Sequence, residues 1–112
     1  MQNAETKLKN TETILQNDIR LALSETCVIF RGNVGGFYTD YGGYISTGLP
    51  KGFPDLFGFR KRDGKMVFIE VKTAKGRVRK EQAHFMEVMD GYDVLHGIAR
   101  SVEDAEAIVN AD

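Results

Sequence analysis

The chain has 112 residues, of which 42% are hydrophobic and 28% are charged, and its formal net charge is −1. This length suits one domain with a modest core, and the composition excludes a wholly disordered chain. The longest apolar runs, at 27–30 and 66–69, are too short to span a membrane, and the polar start lacks a signal-peptide core, so we expect a cytoplasmic protein.

The charges are segregated along the chain. Residues 51–80 hold ten basic and three acidic residues, whereas residues 81–112 hold one basic and eight acidic residues. A near-neutral total therefore does not exclude a polyanionic partner, because a local basic block can face phosphates if it folds onto one surface. The alternative is a solvated surface on which the basic and acidic segments pair with each other.

The first predicted element is an amphipathic helix over 11–25, which follows a polar segment at 1–10. Its apolar residues recur at spacings of three and four, which places them in one stripe. Thr11 is the predicted N-cap, with Glu12 in the first turn, where a carboxylate suits the helix dipole. Residues 27–30, rich in β-branched and aromatic side chains, predict a short buried strand.

The next segment, 32–52, contains seven glycines interleaved with Phe37, Tyr38, Tyr41 and Tyr44. This composition predicts a long loop with an irregular hairpin. Loops of this length in a small domain tend to carry function. The tyrosines suit stacking on unpaired bases. Equally, they suit packing within the loop or a subunit contact.

The remaining elements form an alternating α/β pattern. Two strands, 55–60 and 66–72, flank the hairpin turn signal Asp63-Gly64. A helix at 79–90, a strand at 94–99 and a last helix capped by Ser101 follow. The strand–helix–strand unit from 66 to 99 predicts a parallel crossover, within a mixed sheet that carries helices on both faces.

Three charged residues lie on the predicted hairpin. Glu70 and Lys72 point to the same face because strand side chains alternate, and Asp55 is expected opposite them on the neighbouring strand. Two carboxylates fit a hard cation such as Mg²⁺, with the Val71 carbonyl as a further oxygen ligand. Lys72 then meets the attacking water or the phosphate. The alternative is a structural salt bridge between Lys72 and one of the two carboxylates.

The sequences Pro54-Asp55 and Glu70-Val71-Lys72 resemble the PD-(D/E)XK nuclease signature. The runs GLPKGFPDLFGF (48–59), FIEVKTAKGRVRKEQAHF (68–85) and GIARSVEDAEAIV (97–109) are similar to the VRR-NUC family, the virus-type replication–repair nucleases. The resemblance covers residues 12–109. It implies a single nuclease domain at 11–110, with a restriction-endonuclease-like mixed β-sheet core flanked by helices. The expected location is the cytoplasm of a bacterial or phage-infected host cell.

The resemblance also implies roles for individual residues. Asp55 and Glu70 match metal ligands, Lys72 matches the catalytic lysine, and Gln82 matches a helix glutamine that faces the active site. Glu12 matches an acidic position of the first helix that binds the metal directly or through water. The alternatives are a helix-dipole partner for Glu12 and a plain surface residue for Gln82.

The basic block then gains a role in binding nucleic acid, because cationic side chains contact phosphates without reading sequence. The predicted contacts come from the segments that flank the motif strands and from the start of the glycine-rich segment: Lys51, Lys75, Arg77, Arg79, Lys80, Arg31 and Asn33.

Taken together, these features predict a Mg²⁺-dependent DNA endonuclease, with Mn²⁺ able to substitute, that hydrolyses phosphodiesters with a metal-activated water. The resemblance implies selectivity for junctions or branched DNA, a homodimer, a phage origin, and a replication or repair partner such as a helicase. The alternative function is a non-catalytic nucleic-acid-binding module with the same fold.

Overall fold

A computed structural model describes the backbone of residues 4–112 and the side chains of residues 11–112. The elements follow in the order α1 (Ala4–Leu23), β1 (Cys27–Arg31), β2 (Gly36–Tyr38), β3 (Tyr44–Ser46), β4 (Leu56–Arg60), β5 (Met66–Val71), α2 (Lys80–Met89), β6 (Leu95–Ala99) and α3 (Val102–Val109). None of the described helices is long and apolar enough to cross a membrane.

The main sheet has four strands in the order β1-β4-β5-β6. The β1–β4 and β4–β5 pairs are antiparallel, whereas β5 and β6 are parallel neighbours joined through α2. Gly64, with a φ of +73°, lies in the tight turn between β4 and β5. The predicted hairpin and the parallel crossover are therefore confirmed, and the architecture is a restriction-endonuclease-like single domain.

The two faces of the sheet are covered by different helices. Val67, Ile69 and Val71 of β5 are fully buried in a core that includes residues of α1 and α3. The intervening Phe68 points to the opposite face and contacts Phe85 of α2, with ring centroids 5.3 Å apart. This alternation confirms helices on both faces, and it leaves Glu70 on the same face as Phe68.

The first helix starts earlier than the sequence predicted. It runs from Ala4, so Thr11 lies inside the helix, and its assignment as the N-cap is wrong. The added residues include alanine, glutamate, lysine and leucine, which are good helix formers and extend the helix through the polar segment. At the other end of the chain, Ser101 is confirmed as the N-cap of α3, because its Oγ accepts a hydrogen bond from the Asp104 amide over 3.0 Å.

The glycine-rich segment forms a second, two-stranded sheet. Strands β2 and β3 pair as an antiparallel hairpin, with Phe37 opposite Ile45 and Tyr38 opposite Tyr44. This observation confirms the predicted irregular hairpin. We call residues 36–46 the hairpin arm, since all but one of its residues are exposed.

Candidate active site

Asp55 occupies a fixed position beside the end of β5. It follows the buried Pro54 and directly precedes β4. Its Oδ2 accepts a hydrogen bond from the Val71 amide over 3.0 Å. Because Leu56 pairs with Ile69, the next step of the antiparallel register places Asp55 beside Glu70. The hairpin thus brings together the two carboxylates that the sequence pattern paired.

Glu70 is a buried acid with one satisfied oxygen. The residue is only 1% exposed. Its Oε1 accepts a hydrogen bond from Gln82 Nε2 over 3.1 Å, whereas the buried Oε2 has no partner within the described part of the chain. Burial, followed by the nearby Asp55 carboxyl group, raises the pKa of Glu70 to about 9. A proton or a cation on this side chain would therefore stabilise the folded site.

A third carboxylate, that of Glu12, joins this pair from α1. One oxygen from each of Glu12, Asp55 and Glu70 can be chosen so that all three lie within 4.8 Å of one another. Burial, followed by the charge of Asp55, raises the pKa of Glu12. Glu12 lies well beyond the first turn of α1, where the helix dipole acts, so the dipole interpretation does not apply. The three oxygens fit the ligand preference of Mg²⁺ or Mn²⁺.

Lys72 adds a positive charge beside the cluster of three carboxylates. The residue is 7% exposed, and its charge lowers the pKa of both Glu70 and Glu12 against the effect of burial. Among residues 11–112, no carboxylate lies within 4.0 Å of its Nζ. The alternative interpretation, a structural salt bridge from Lys72 to Glu70 or Asp55, therefore has no support in the described side chains.

Gln82 connects helix α2 to the carboxylates. Its Oε1 accepts a hydrogen bond from the Arg79 amide over 2.9 Å, at the N-cap of the helix, while its Nε2 donates to Glu70. One amide group thus satisfies an unpaired amide at the start of α2 and holds Glu70 in place. Gln82 is therefore more than a plain surface residue of the helix.

These side chains line one cavity of about 210 Å³. The three carboxylates, Lys72 and Gln82 share it with Val34, Lys51, Gly52, Phe53, Arg79 and Glu81. A polar cavity with an acidic cluster, an unpaired ammonium group and flanking cations is suited to binding a phosphate ester through a divalent metal.

Comparison with known families identifies the domain. A family model, the VRR-NUC domain, matches residues 42–103, which is more than half of the chain. The chain belongs to the VRR-NUC family. The domain implies a nuclease-type function, with DNA as the substrate. No curated protein matched this chain.

The matched range contains most, but not all, of the residues that line the cavity. Asp55, Glu70, Lys72 and Gln82 fall within the matched range, whereas Glu12 precedes it. Val71 contributes its amide to Asp55, and its carbonyl as a metal ligand stays a prediction.

The predicted nucleic-acid-binding residues divide into two groups. Lys51 and Arg79 line the cavity, and Lys51 also lies 3.6 Å from Glu81 in an exposed ion pair. The other five residues are exposed and do not line the cavity: Arg31, Asn33, Lys75, Arg77 and Lys80. The sequence did not distinguish the cations that line the cavity from those that do not, and the role of both groups in binding nucleic acid stays a prediction.

Sequence reasoning missed Arg100. Its Nη1 donates to the carbonyl oxygens of Thr73 over 2.6 Å and Gly76 over 2.8 Å. Arg100 thus holds the loop between β5 and α2, which carries Lys75 and Arg77. The only sequence signal is an arginine directly after β6, and a contact with carbonyls more than twenty residues away cannot be derived from that position.

Proposed function

We propose that this VRR-NUC chain is a Mg²⁺-dependent DNA nuclease that hydrolyses phosphodiester bonds with water as the nucleophile. The observation that carries the proposal is the close group of Glu12, Asp55 and Glu70, with Glu70 Oε2 buried and without a partner in the described chain. Burial and the neighbouring carboxyl groups oppose ionisation of Glu12 and Glu70, and a divalent cation offsets that cost.

Glu12, Asp55 and Glu70 would hold the cation, with the Val71 carbonyl as a further ligand and Mn²⁺ as an effective substitute for Mg²⁺. When bound, the cation supplies a Lewis acid that makes water more acidic and offsets negative charge on the phosphoryl group. The protein itself fixes the positions of the carboxylates. The Val71 amide fixes Asp55, and the Gln82 side chain fixes Glu70.

Lys72 provides the positive charge on the protein side of the cavity. Since no carboxylate in the described side chains pairs with it, its ammonium group is available to donate to the scissile phosphate or to the attacking water. Lys51 and Arg79 extend this positive surface to the cavity wall. The exposed basic residues around them contact neighbouring phosphates, which makes DNA binding salt-dependent.

The rival function is a non-catalytic DNA-binding module. A pure binding module gains nothing from three carboxylates in the cavity, because they repel phosphates in the absence of a metal. Selectivity for branched DNA, a homodimer and a helicase-type partner belong to the proposal as well, and the family resemblance alone supports them.

The test is a cleavage assay on plasmid and on four-way-junction DNA, with Mg²⁺ or Mn²⁺ and with EDTA. We expect metal-dependent cleavage that falls by about 100-fold or more in Asp55→Ala and Lys72→Ala. Glu70→Gln should abolish cleavage while DNA binding stays normal or becomes tighter, because the substitution removes a metal ligand but no cation that could contact phosphate. Glu87→Gln, on the exposed part of α2, and Lys61→Ala, beyond β4, are the matched controls. Salt-sensitive binding without cleavage would instead support the binding module.

A further inference from the structure

The hairpin arm presents an unusual amount of aromatic surface to solvent. Its four aromatic residues, Phe37, Tyr38, Tyr41 and Tyr44, are 57%, 79%, 99% and 56% exposed, and Ile45 is 47% exposed. Exposed apolar side chains that cluster in one place mark a binding surface more often than chance exposure does. The arm therefore has a surface suited to a ligand with flat apolar faces.

The arm leaves and rejoins the domain at the active-site cavity. On its way out, the Gly32 amide donates a hydrogen bond to the Asp55 carbonyl oxygen over 2.7 Å, and Val34 lines the cavity. A side chain at Gly32 would come within 2.6 Å of the Pro54 carbonyl oxygen, so the close approach needs glycine. On the return path, Lys51 and Gly52 line the cavity again. The segments at both ends of the arm thus form part of the wall of the cavity that holds the carboxylates.

The charge distribution separates this arm from the basic surface. Residues 32–50 contain one charged residue, Asp40, so the arm offers no cation to a phosphate. Cations line the cavity instead, at Lys51, where the chain returns from the arm, and at Arg79, which directly precedes α2. Nucleic acid has both an anionic backbone and flat bases, and a cavity with cations in its wall and an exposed aromatic arm attached to that wall complements both parts.

We propose that the hairpin arm is a nucleobase-stacking platform that holds unpaired nucleotides of the DNA substrate beside the scissile phosphate. This inference rests on the proposed nuclease function and adds the kind of DNA that the site accepts. Bases within a duplex are stacked on one another and cannot offer their faces, whereas bases in a single-stranded segment can. The arm therefore favours forks, flaps and other substrates with unpaired bases near the cavity.

The geometry of the arm favours bases over a second copy of the chain. Tyr38 and Tyr44 lie edge to face on one side of the hairpin, with centroids 5.0 Å apart, while Phe37 and Ile45 lie on the other side. Aromatic groups thus project from both faces. Strands β2 and β3 have three residues each, so pairing along an arm edge would supply few hydrogen bonds to a dimer.

The test compares Tyr41→Leu, Tyr41→Phe and the double variant Tyr38→Leu/Tyr41→Leu with the unmodified chain. Tyr41 is almost fully exposed, so its substitution should leave the thermal melting temperature unchanged. Tyr92→Leu is the matched control, since Tyr92 is 65% exposed and does not line the cavity. The probes are a forked DNA with one unpaired strand and a blunt duplex of equal length. Binding is measured by fluorescence anisotropy in EDTA, and cleavage is measured in Mg²⁺.

We expect Tyr41→Leu and the double variant to lose about 10-fold in affinity for the fork, with the duplex affected less than twofold. Tyr41→Phe keeps the ring face and should bind the fork normally, as should Tyr92→Leu. Equal losses on both probes, or no loss on either, would overturn the arm proposal while leaving the nuclease proposal intact if the unmodified chain cleaves DNA. A change of molar mass in light scattering with unchanged fork binding would show that the arm joins two copies instead. Failure of the unmodified chain to bind or cleave either probe overturns both proposals.

Discussion

Gln82 Nε2 donates a hydrogen bond to Glu70 Oε1 over 3.1 Å, while Gln82 Oε1 accepts one from the Arg79 amide. The side chain therefore links the N-cap of α2 to a carboxylate that has no other side-chain hydrogen bond among residues 11–112. Only one Glu70 oxygen is occupied in this way, so the other stays available for a cation. The orientation of Glu70 depends on where α2 begins, which couples the helix to the chemistry of the cavity.

Substitution of Gln82 by alanine should weaken metal binding. Without the amide, Glu70 loses its fixed orientation, and loss of such an outer partner typically costs about 10- to 100-fold in metal affinity or activity. The affinity for Mn²⁺ is measured by calorimetric titration and the cleavage rate is measured in parallel. Glu87→Ala, on the same helix, is the control. An unchanged Mn²⁺ affinity in Gln82→Ala would show that the hydrogen bond does not position a ligand.

Glu12→Gln should have opposite effects on metal binding and on stability. The neutral side chain removes one of three neighbouring carboxylates, so Mn²⁺ affinity falls, while the metal-free protein loses like-charge repulsion. We expect its melting temperature in EDTA to equal or exceed that of the unmodified chain. Glu25→Gln is the control on an exposed site. A lower melting temperature in EDTA would instead assign Glu12 a structural role.

The sequence predicted much of the site because short-range rules govern it. Strand alternation puts Glu70 and Lys72 on one face, and the Asp63-Gly64 turn sets the register that brings Asp55 beside them. The position of Glu12 could not be derived in this way, because it depends on how α1 packs against the end of the sheet. Only the family resemblance pointed to Glu12.

The prediction of Thr11 as the N-cap of α1 was wrong for a different reason. Threonine before an amphipathic stripe is a common start signal, but the preceding residues are strong helix formers and continue the helix back to Ala4. The Arg100 contact and the exposed faces of the arm depend on tertiary packing. No local sequence pattern specifies which backbone carbonyls Arg100 contacts. Nor does one specify which side chains of the arm face solvent.

Arg100→Met should weaken DNA binding more than turnover. Arg100 holds the carbonyls of Thr73 and Gly76, and without it the loop that carries Lys75 and Arg77 must be ordered when DNA binds. Because a hydrogen bond from a charged donor contributes about 1.5 kcal/mol or more, its removal should lower the affinity for DNA about 10-fold. We expect KM to rise while kcat at saturating DNA changes little.

The control for Arg100 is Arg62→Met, which removes an equal charge from the turn after β4. If both variants raise KM to the same extent, the effect is one of total charge and not of loop position. If kcat falls with KM unchanged, Arg100 acts on the chemical step, contrary to the prediction.

Asp63 should make the stability of the fold sensitive to acid. Arg60 is 5% exposed, and its Nη1 donates to the carbonyls of Val109 and Ala111 over 2.7 Å, which ties the β4–β5 turn to the end of α3. Its Nη2 donates to Asp63 Oδ2 over 2.6 Å. This hydrogen bond is the main cause that lowers the pKa of Asp63 from 3.8 to about 2.

A carboxyl group with a lowered pKa in the folded state stabilises the fold above its ordinary pKa, and that contribution is lost as the pH falls through the folded value. Stability should therefore decline between about pH 4 and pH 2. Asp63→Asn should be less stable at pH 7 and show a shallower decline in that window, measured by urea unfolding at a series of pH values. Asp18→Asn, on the exposed face of α1, should keep the full decline. An identical decline in Asp63→Asn would mean that the ion pair with Arg60 contributes nothing to folding.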